Sequence, residues 1–269
     1  MRALLPHLLL AMTALCGAPA ARAELDRTHA AWTALLAKHV DLQDAQGRAS
    51  RVDYAGFARD RGALRAYRGA LARVTRDEFA ALPRADQIAF WINAYNAATV
   101  ELILSEYPKY ASIRDYGSLL RSPWRKPFVR LLGETLSLDE IEHERLRGPR
   151  GYREPRIHFA VNCASIGCPM LREEAYTGAK LDAQLEEQTV RFLSDRTRNA
   201  ARPEAGALEL SPIFDWYGDD FAGGDLPRFL ARYAAVLVRD ERKGRRFAER
   251  EWKIEFGDYD WRLNDVKPR

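Results

Sequence analysis

The chain has 269 residues, 47% of them hydrophobic and 30% charged, with 42 basic and 38 acidic side chains for a net charge of +4. That composition excludes a disordered polar chain and a fibrous repeat, and it can fill one large domain core, alone or with a helical N-terminal extension. So small a charge excess does not mark a nucleic-acid binder, and the basic cluster 239–250 is interleaved with Asp240, Glu241 and Glu249, the pattern of a solvated face.

Arg2, the Leu- and Ala-rich run Ala3 to Leu15 and the small-residue pattern Ala21-Arg22-Ala23 read as a secretory signal cleaved at Ala23-Glu24. The run is too short to span a bilayer, and no later stretch is long and apolar enough. The bulky Leu15 argues against lipid attachment at Cys16. Cleavage would discard Cys16, Arg2 and Arg22, and the mature chain is expected in the periplasm or outside the cell. The chain divides into a signal peptide over 1–23, an N-terminal helical segment over 24–80 and a core domain over 81–269.

Further along, apolar spacing predicts a helix over Ala30 to Lys38, with Trp32, Leu35 and Leu36 on one side. Val52-Asp53-Tyr54 and Phe57 lead into a helical stretch from Arg61 to Val74. Leu82-Pro83 opens a longer helix to Glu106, apolar on nearly every face and therefore buried, which Tyr107-Pro108 ends. Phe128 to Leu132 and Glu134 to Leu136 flank Gly133 as a hairpin. Ser137 and Glu140 form a capping box for a helix to Arg147. Ile157 to Asn162 alternates as a strand, Leu181 to Leu193 is an amphipathic helix, and Asp225 to Val238 is helical. Ala207 to Leu210 and Trp252 to Phe256 are further strands. The elements predict an α+β domain, helices packed around a small, mostly antiparallel sheet.

The chemistry concentrates after residue 156. As a strand, Ile157 to Asn162 would place His158 and Asn162 on one face, roughly 13 Å apart, both lining one pocket. Cys163 and Cys168 follow. An oxidising compartment favours a disulfide between them. As a nucleophile, Cys168 would have Pro169 behind it as the first residue of a helix whose N-terminus lowers the thiol pKa, and His158 as its base. A zinc site completed by His143 and His158 is the third reading, although the four-residue gap between the cysteines is wide for ligands. In the capped helix, Glu142 falls among apolar positions, where a carboxylate needs a partner. It could orient a histidine or hold a positive group, or form a salt bridge to Arg145 or Arg114. His143 projects toward an edge from which it could reach a cleft. Asn93 and Asn96 share one side of the long helix and, as buried amides, would pin a neighbouring loop or line the pocket.

Ala89 to Asn96, Leu138 to Arg147 and His158 to Pro169 resemble the family called domain of unknown function 547, as do Ser211 to Phe221, Tyr259 to Asn264 and Val52-Asp53-Tyr54. The resemblance spans nearly all of the mature chain. It implies an architecture more than a reaction, and it implies that Asn93, Asn96, Glu142, His143, His158, Cys163 and Cys168 meet in space.

Two functions are carried forward. One is a cysteine-hydrolase- or transferase-like site acting on an amide, thioester or γ-glutamyl-type bond, with Cys168 attacking, His158 or His143 as base, and Glu142 or an asparagine orienting the ring. Its fold would look like the papain and transglutaminase group in a permuted variant, because every histidine precedes both cysteines. The other is a non-catalytic periplasmic binding or accessory protein, with a Cys163–Cys168 disulfide beside a pocket for a small molecule, thiol or peptide. Neither reading calls for a cofactor, a nucleic acid or a membrane span.

Overall fold

The computed structural model describes residues 25–117, 122–147, 151–202, 205–238 and 252–267. The segment read as a signal peptide and the basic cluster 239–250 lie outside them. Among the described residues no helix is long and apolar enough to cross a membrane.

The chain begins with α1 (Ala30–His39), the antiparallel pair β1 (Val40–Leu42) and β2 (Ser50–Val52), then α2 (Tyr54–Arg59), α3 (Arg61–Ala72) and α4 (Arg76–Ala80). These gather around α5 (Arg84–Glu106), in which every residue from Ile88 to Leu104 is buried. A helix apolar on all sides must be surrounded, and Trp32, Phe57, Leu64 and Leu71 of the earlier helices join Phe90, Ile92 and Ile103 in one core. The one acid deep in α5, Glu101, is paired with Arg61 and Arg65.

The hairpin follows as β3 (Val129–Leu131) and β4 (Glu134–Leu136). Both loop residues, Leu132 (φ 53°) and Gly133 (φ 78°), have positive φ, which a two-residue type I′ turn demands. Ser137 and Glu140 form the predicted capping box, starting α6 (Leu138–Glu140). The helix then widens into a π-helical turn, Ile141–Leu146, where Arg147 N–H donates to the Glu142 carbonyl at 2.9 Å. Such turns are rare and recur at functional sites.

After α7 (Leu181–Ser194) come β5 (Ala200–Arg202), β6 (Ala207–Leu210), α8 (Ile213–Trp216), α9 (Leu226–Ala231), α10 (Ala234–Val238) and β7 (Lys253–Phe256). β5 and β6 run antiparallel and β6 and β7 parallel. The helix expected over 225–238 is broken between α9 and α10, where Tyr233 reaches across to Glu186 at 3.0 Å. These elements enclose a second core of Phe159, Phe192, Phe214, Phe221 and Phe229. The architecture is α+β, helices with small sheets, antiparallel but for the β6–β7 pair.

One expected element is different. Ile157 to Asn162 is not a strand: Pro155–Phe159 is a 3-10 helix, with Pro155 in its first turn and the Glu154 carboxylate accepting from Arg156 N–H at 3.1 Å. Ile157 packs into the first core and Phe159 into the second, while His158 stacks on Tyr217. A segment buried on every side carries no period that separates strand from helix.

Candidate functional site

Buried amides pin the loop from Asn162 to Cys168 and a second loop at Tyr176. Asn96 on α5 donates to the Ala160 carbonyl at 3.0 Å and accepts from Asn162 N–H at 2.8 Å. Asn93, one turn earlier, makes the same two-ended bond to the backbone of Tyr176, at 2.7 and 3.0 Å. Both asparagines therefore pin loops. Asn162 does not face the pocket as a strand residue would. Its amide donates to the Pro169 carbonyl at 2.8 Å and accepts from Ala164 N–H at 3.0 Å, closing the loop on itself. The chain after Pro169 is not helical, so the helix N-terminus expected behind Cys168 is absent.

The C-terminal segment clamps this loop. Ile166 N–H donates to the Arg262 carbonyl at 2.8 Å, Gly167 N–H to Asp260 at 2.9 Å, and Asn264 N–H to Ala164 at 3.0 Å. Gly167 is needed here, because a Cβ would lie 3.0 Å from both the Tyr259 ring and the Asp260 nitrogen. The clamp delivers Tyr259 and Trp261 to the mouth of a cavity of about 330 Å³.

Loop, π-helical turn and C-terminal segment meet in that cavity. Cys163 and Cys168 form part of its wall, with Glu142, His143 and His158. The aromatic side chains Tyr95, Trp124, Trp216, Tyr217, Tyr259 and Trp261 supply most of the remainder. The two cysteines are at disulfide-bonding distance, with Cα atoms 6.1 Å apart, and Cys168 is buried. Cys163, Cys168, Glu142, His143 and His158 thus come together as anticipated, whereas Asn93, Asn96 and Asn162 support the wall from behind. The four-ligand zinc arrangement is not assembled: the sulfurs face each other, His158 Nε2 meets Asp220, and no group of three metal donors occurs among the described residues.

Electrostatics distinguish the two histidines. His158 Nε2 lies 2.7 Å from Asp220 Oδ2, which also pairs with Arg147, and the imidazole stacks on Tyr217 with centroids 4.1 Å apart. Burial holds the His158 pKa below its ordinary value, outweighing Asp220. Asp220 itself is held well below the usual carboxylate range, first by the hydrogen bond from His158 and then by Arg147. The ring is therefore neutral, its Nε2–H donates to the carboxylate, and Nδ1 is left with a bare lone pair. Nδ1 is buried and has no hydrogen-bond partner among the described residues. His143 is more exposed, with Nδ1 at 2.9 Å from Arg147 and Nε2 at 3.5 Å from Asp139.

Glu142 is 8% exposed and accepts from the Tyr217 hydroxyl at 2.9 Å. Burial, with the Glu142 charge second, pushes the Tyr95 hydroxyl well above its ordinary pKa. The salt bridges considered for Glu142 do not form. Arg145 pairs with Glu134, and Arg114 lies over the Trp261 ring at 5.3 Å.

Residues 79–193 match the family model described as protein of unknown function, DUF547, and this stretch of the chain is a domain of that family. No curated protein and no solved structure matches the chain.

Sequence reasoning missed Asp220 as the partner of His158, and Trp216, Tyr217, Tyr259 and Trp261 as cavity wall. All five lie beyond the matched residues 79–193, and the available signal was that polar and aromatic residues recur there outside any recognised element.

Proposed function

We propose that this is a binding or accessory protein of the periplasm or cell exterior, whose ligand occupies the aromatic cavity beside a Cys163–Cys168 disulfide. The carrying observation is that both sulfurs stand at bonding distance in the cavity wall. A sulfur joined to another sulfur has no thiolate with which to attack. A small concave site with aromatic walls and a few convergent polar groups is the usual form of a small-molecule pocket.

A second reading has its own support. His158, oriented by Asp220 and offering a bare Nδ1, is the base-and-orienter half of a catalytic triad. In a reduced protein, Cys168 could complete it and act on an amide, thioester or γ-glutamyl-type bond. Mass spectrometry of the exported protein after iodoacetamide treatment separates the two. The binding reading expects a chain starting at Glu24 and no label on either cysteine until reductant is added. Rapid labelling of Cys168 alone without reductant, abolished in His158→Ala, would establish the thiol enzyme instead. A chain retaining residues 1–23 would refute export by cleavage.

A further inference from the structure

We infer that the cavity takes an organic ammonium ligand, a protonated amine carried on a single apolar or aromatic ring. This rests on the binding reading above and names the ligand's chemical class. Three independent features lead to it.

The first is charge. Among the described residues, those lining the cavity include two carboxylates, Glu142 and Asp139, and no lysine or arginine. Asp139 is partly answered from the rim, by Arg125 at 3.8 Å and His143 at 3.5 Å. Glu142 is 8% exposed and makes no ion pair among the described residues, its bonds being neutral ones from the Tyr217 and Tyr95 hydroxyls. A carboxylate or phosphate ligand would meet like charge at Glu142, while the nearby arginines are turned to Asp139, to Asp220 and to ring faces. A buried carboxylate gains most from a cation brought to it.

The second is the balance of donors and acceptors. The Tyr217 hydroxyl is committed to Glu142, and the Tyr259 hydroxyl lies 3.2 Å from Ser165 Oγ and 3.3 Å from Cys163 Sγ. Among the buried groups of the wall, two are acceptors with capacity left: the Glu142 carboxylate and the His158 Nδ1 lone pair, the latter unpartnered among the described residues. An ammonium has donors, a positive charge and no lone pair, so it complements both.

The third is the aromatic wall. Trp216 and Trp261 are stacked 5.8 Å apart, Tyr259 lies 4.5 Å from Trp261, and Trp216 remains 45% exposed. Two rings of the wall already carry cations from the protein itself, Arg114 over Trp261 at 5.3 Å and Arg147 over Tyr217 at 4.5 Å. Ring faces of this kind attract ammonium groups and stack on apolar rings. A volume of about 330 Å³ is at the small end for ligand pockets, which favours a one-ring molecule over a peptide.

The test uses three probes of nearly equal shape, benzylamine, benzyl alcohol and benzoate, titrated at neutral pH into the unreduced full chain. Tryptophan fluorescence and calorimetry report binding. Benzylamine is expected to bind at least about tenfold tighter than the alcohol, and benzoate more weakly than either. Glu142→Gln should remove most of the benzylamine advantage and leave benzyl alcohol unchanged. Trp216→Ala, at a half-exposed position, should weaken benzylamine as well. Equal affinity for amine and alcohol, or preference for benzoate, overturns the ammonium assignment while leaving the pocket in place. Failure of all three probes to bind overturns the pocket reading and the assignment together.

Discussion

The inner face of α5 and the wall of the cavity both bury polar side chains, but they do so differently. On α5, Asn93 and Asn96 use both ends of their amides, each closing a ring with the backbone of a neighbouring loop. In the wall, the Glu142 carboxylate accepts from the neutral hydroxyls of Tyr217 and Tyr95 and has no charged partner among the described residues, and His158 leaves Nδ1 unanswered there. The same contrast separates two histidines. Each has a partner on one nitrogen, His29 Nδ1 at 2.8 Å from the Tyr67 hydroxyl and His158 Nε2 at 2.7 Å from Asp220, but of the two only His158 has its other nitrogen buried and unpartnered among the described residues. A buried polar group that is fully matched holds the fold. One left with capacity costs stability and persists where something else meets it.

The largest effect should come from breaking a matched group. Asn96→Ala would strand the Ala160 carbonyl and the Asn162 N–H, both on buried residues. At about 1–3 kcal/mol for each orphaned group, the loss is roughly 2–5 kcal/mol. Urea denaturation should show it as a lower midpoint. A change under about 0.5 kcal/mol would mean that water or local shifts replace the bonds, and the amide would then not be scaffold.

A matched histidine gives the next effect. Burial lowers the His29 pKa to about 4, so the ring is neutral in the fold. The unfolded chain takes up that proton near pH 6.5. The stability His29 contributes is thus present above about pH 6.5 and lost as pH falls toward 4. The displacement corresponds to roughly 3 kcal/mol over that window. His158, lowered in the same direction by burial, adds to the slope. His29→Asn removes one titrating ring, and asparagine tolerates the left-handed φ of 49° at this position. The variant should start less stable at neutral pH and show a flatter decline on acidification. A slope identical to that of the wild-type protein would show that His29 does not carry the transition.

The scaffold was more legible in the sequence than the site was. α5 announces itself through an apolar run with Pro83 before it and Tyr107-Pro108 after it, and the Ser137–Glu140 box fixes where α6 begins. These signals are local. The site depends on contacts that no local pattern encodes: His158 meets Asp220 62 positions later, and Glu142 meets Tyr217 75 positions later. The strand expected at Ile157 to Asn162 failed for a related reason. Its side chains go to two cores and a cavity, so burial on all sides imitates alternation. Asn162 was given to the pocket on that false alternation, while its hydrogen bonds go to Ala164 and Pro169 nearby, to Asn96 on α5 and to Asn264 of the C-terminal segment.

The smallest expected effect is the sharpest test of the contrast. Glu142→Gln keeps an oxygen that can accept from Tyr217 and removes a charge held at 8% exposure. Taking a charge out of water opposes folding, and no ion pair among the described residues offsets that cost for Glu142. Substitution should therefore change stability by less than about 1 kcal/mol, with a gain as natural as a loss. The urea midpoint, read at unchanged slope, measures it. If Glu142→Gln costs as much as Asn96→Ala, the glutamate is structural, the two regions do not differ in kind, and the unmatched acceptors of the cavity lose their meaning as a ligand's contacts.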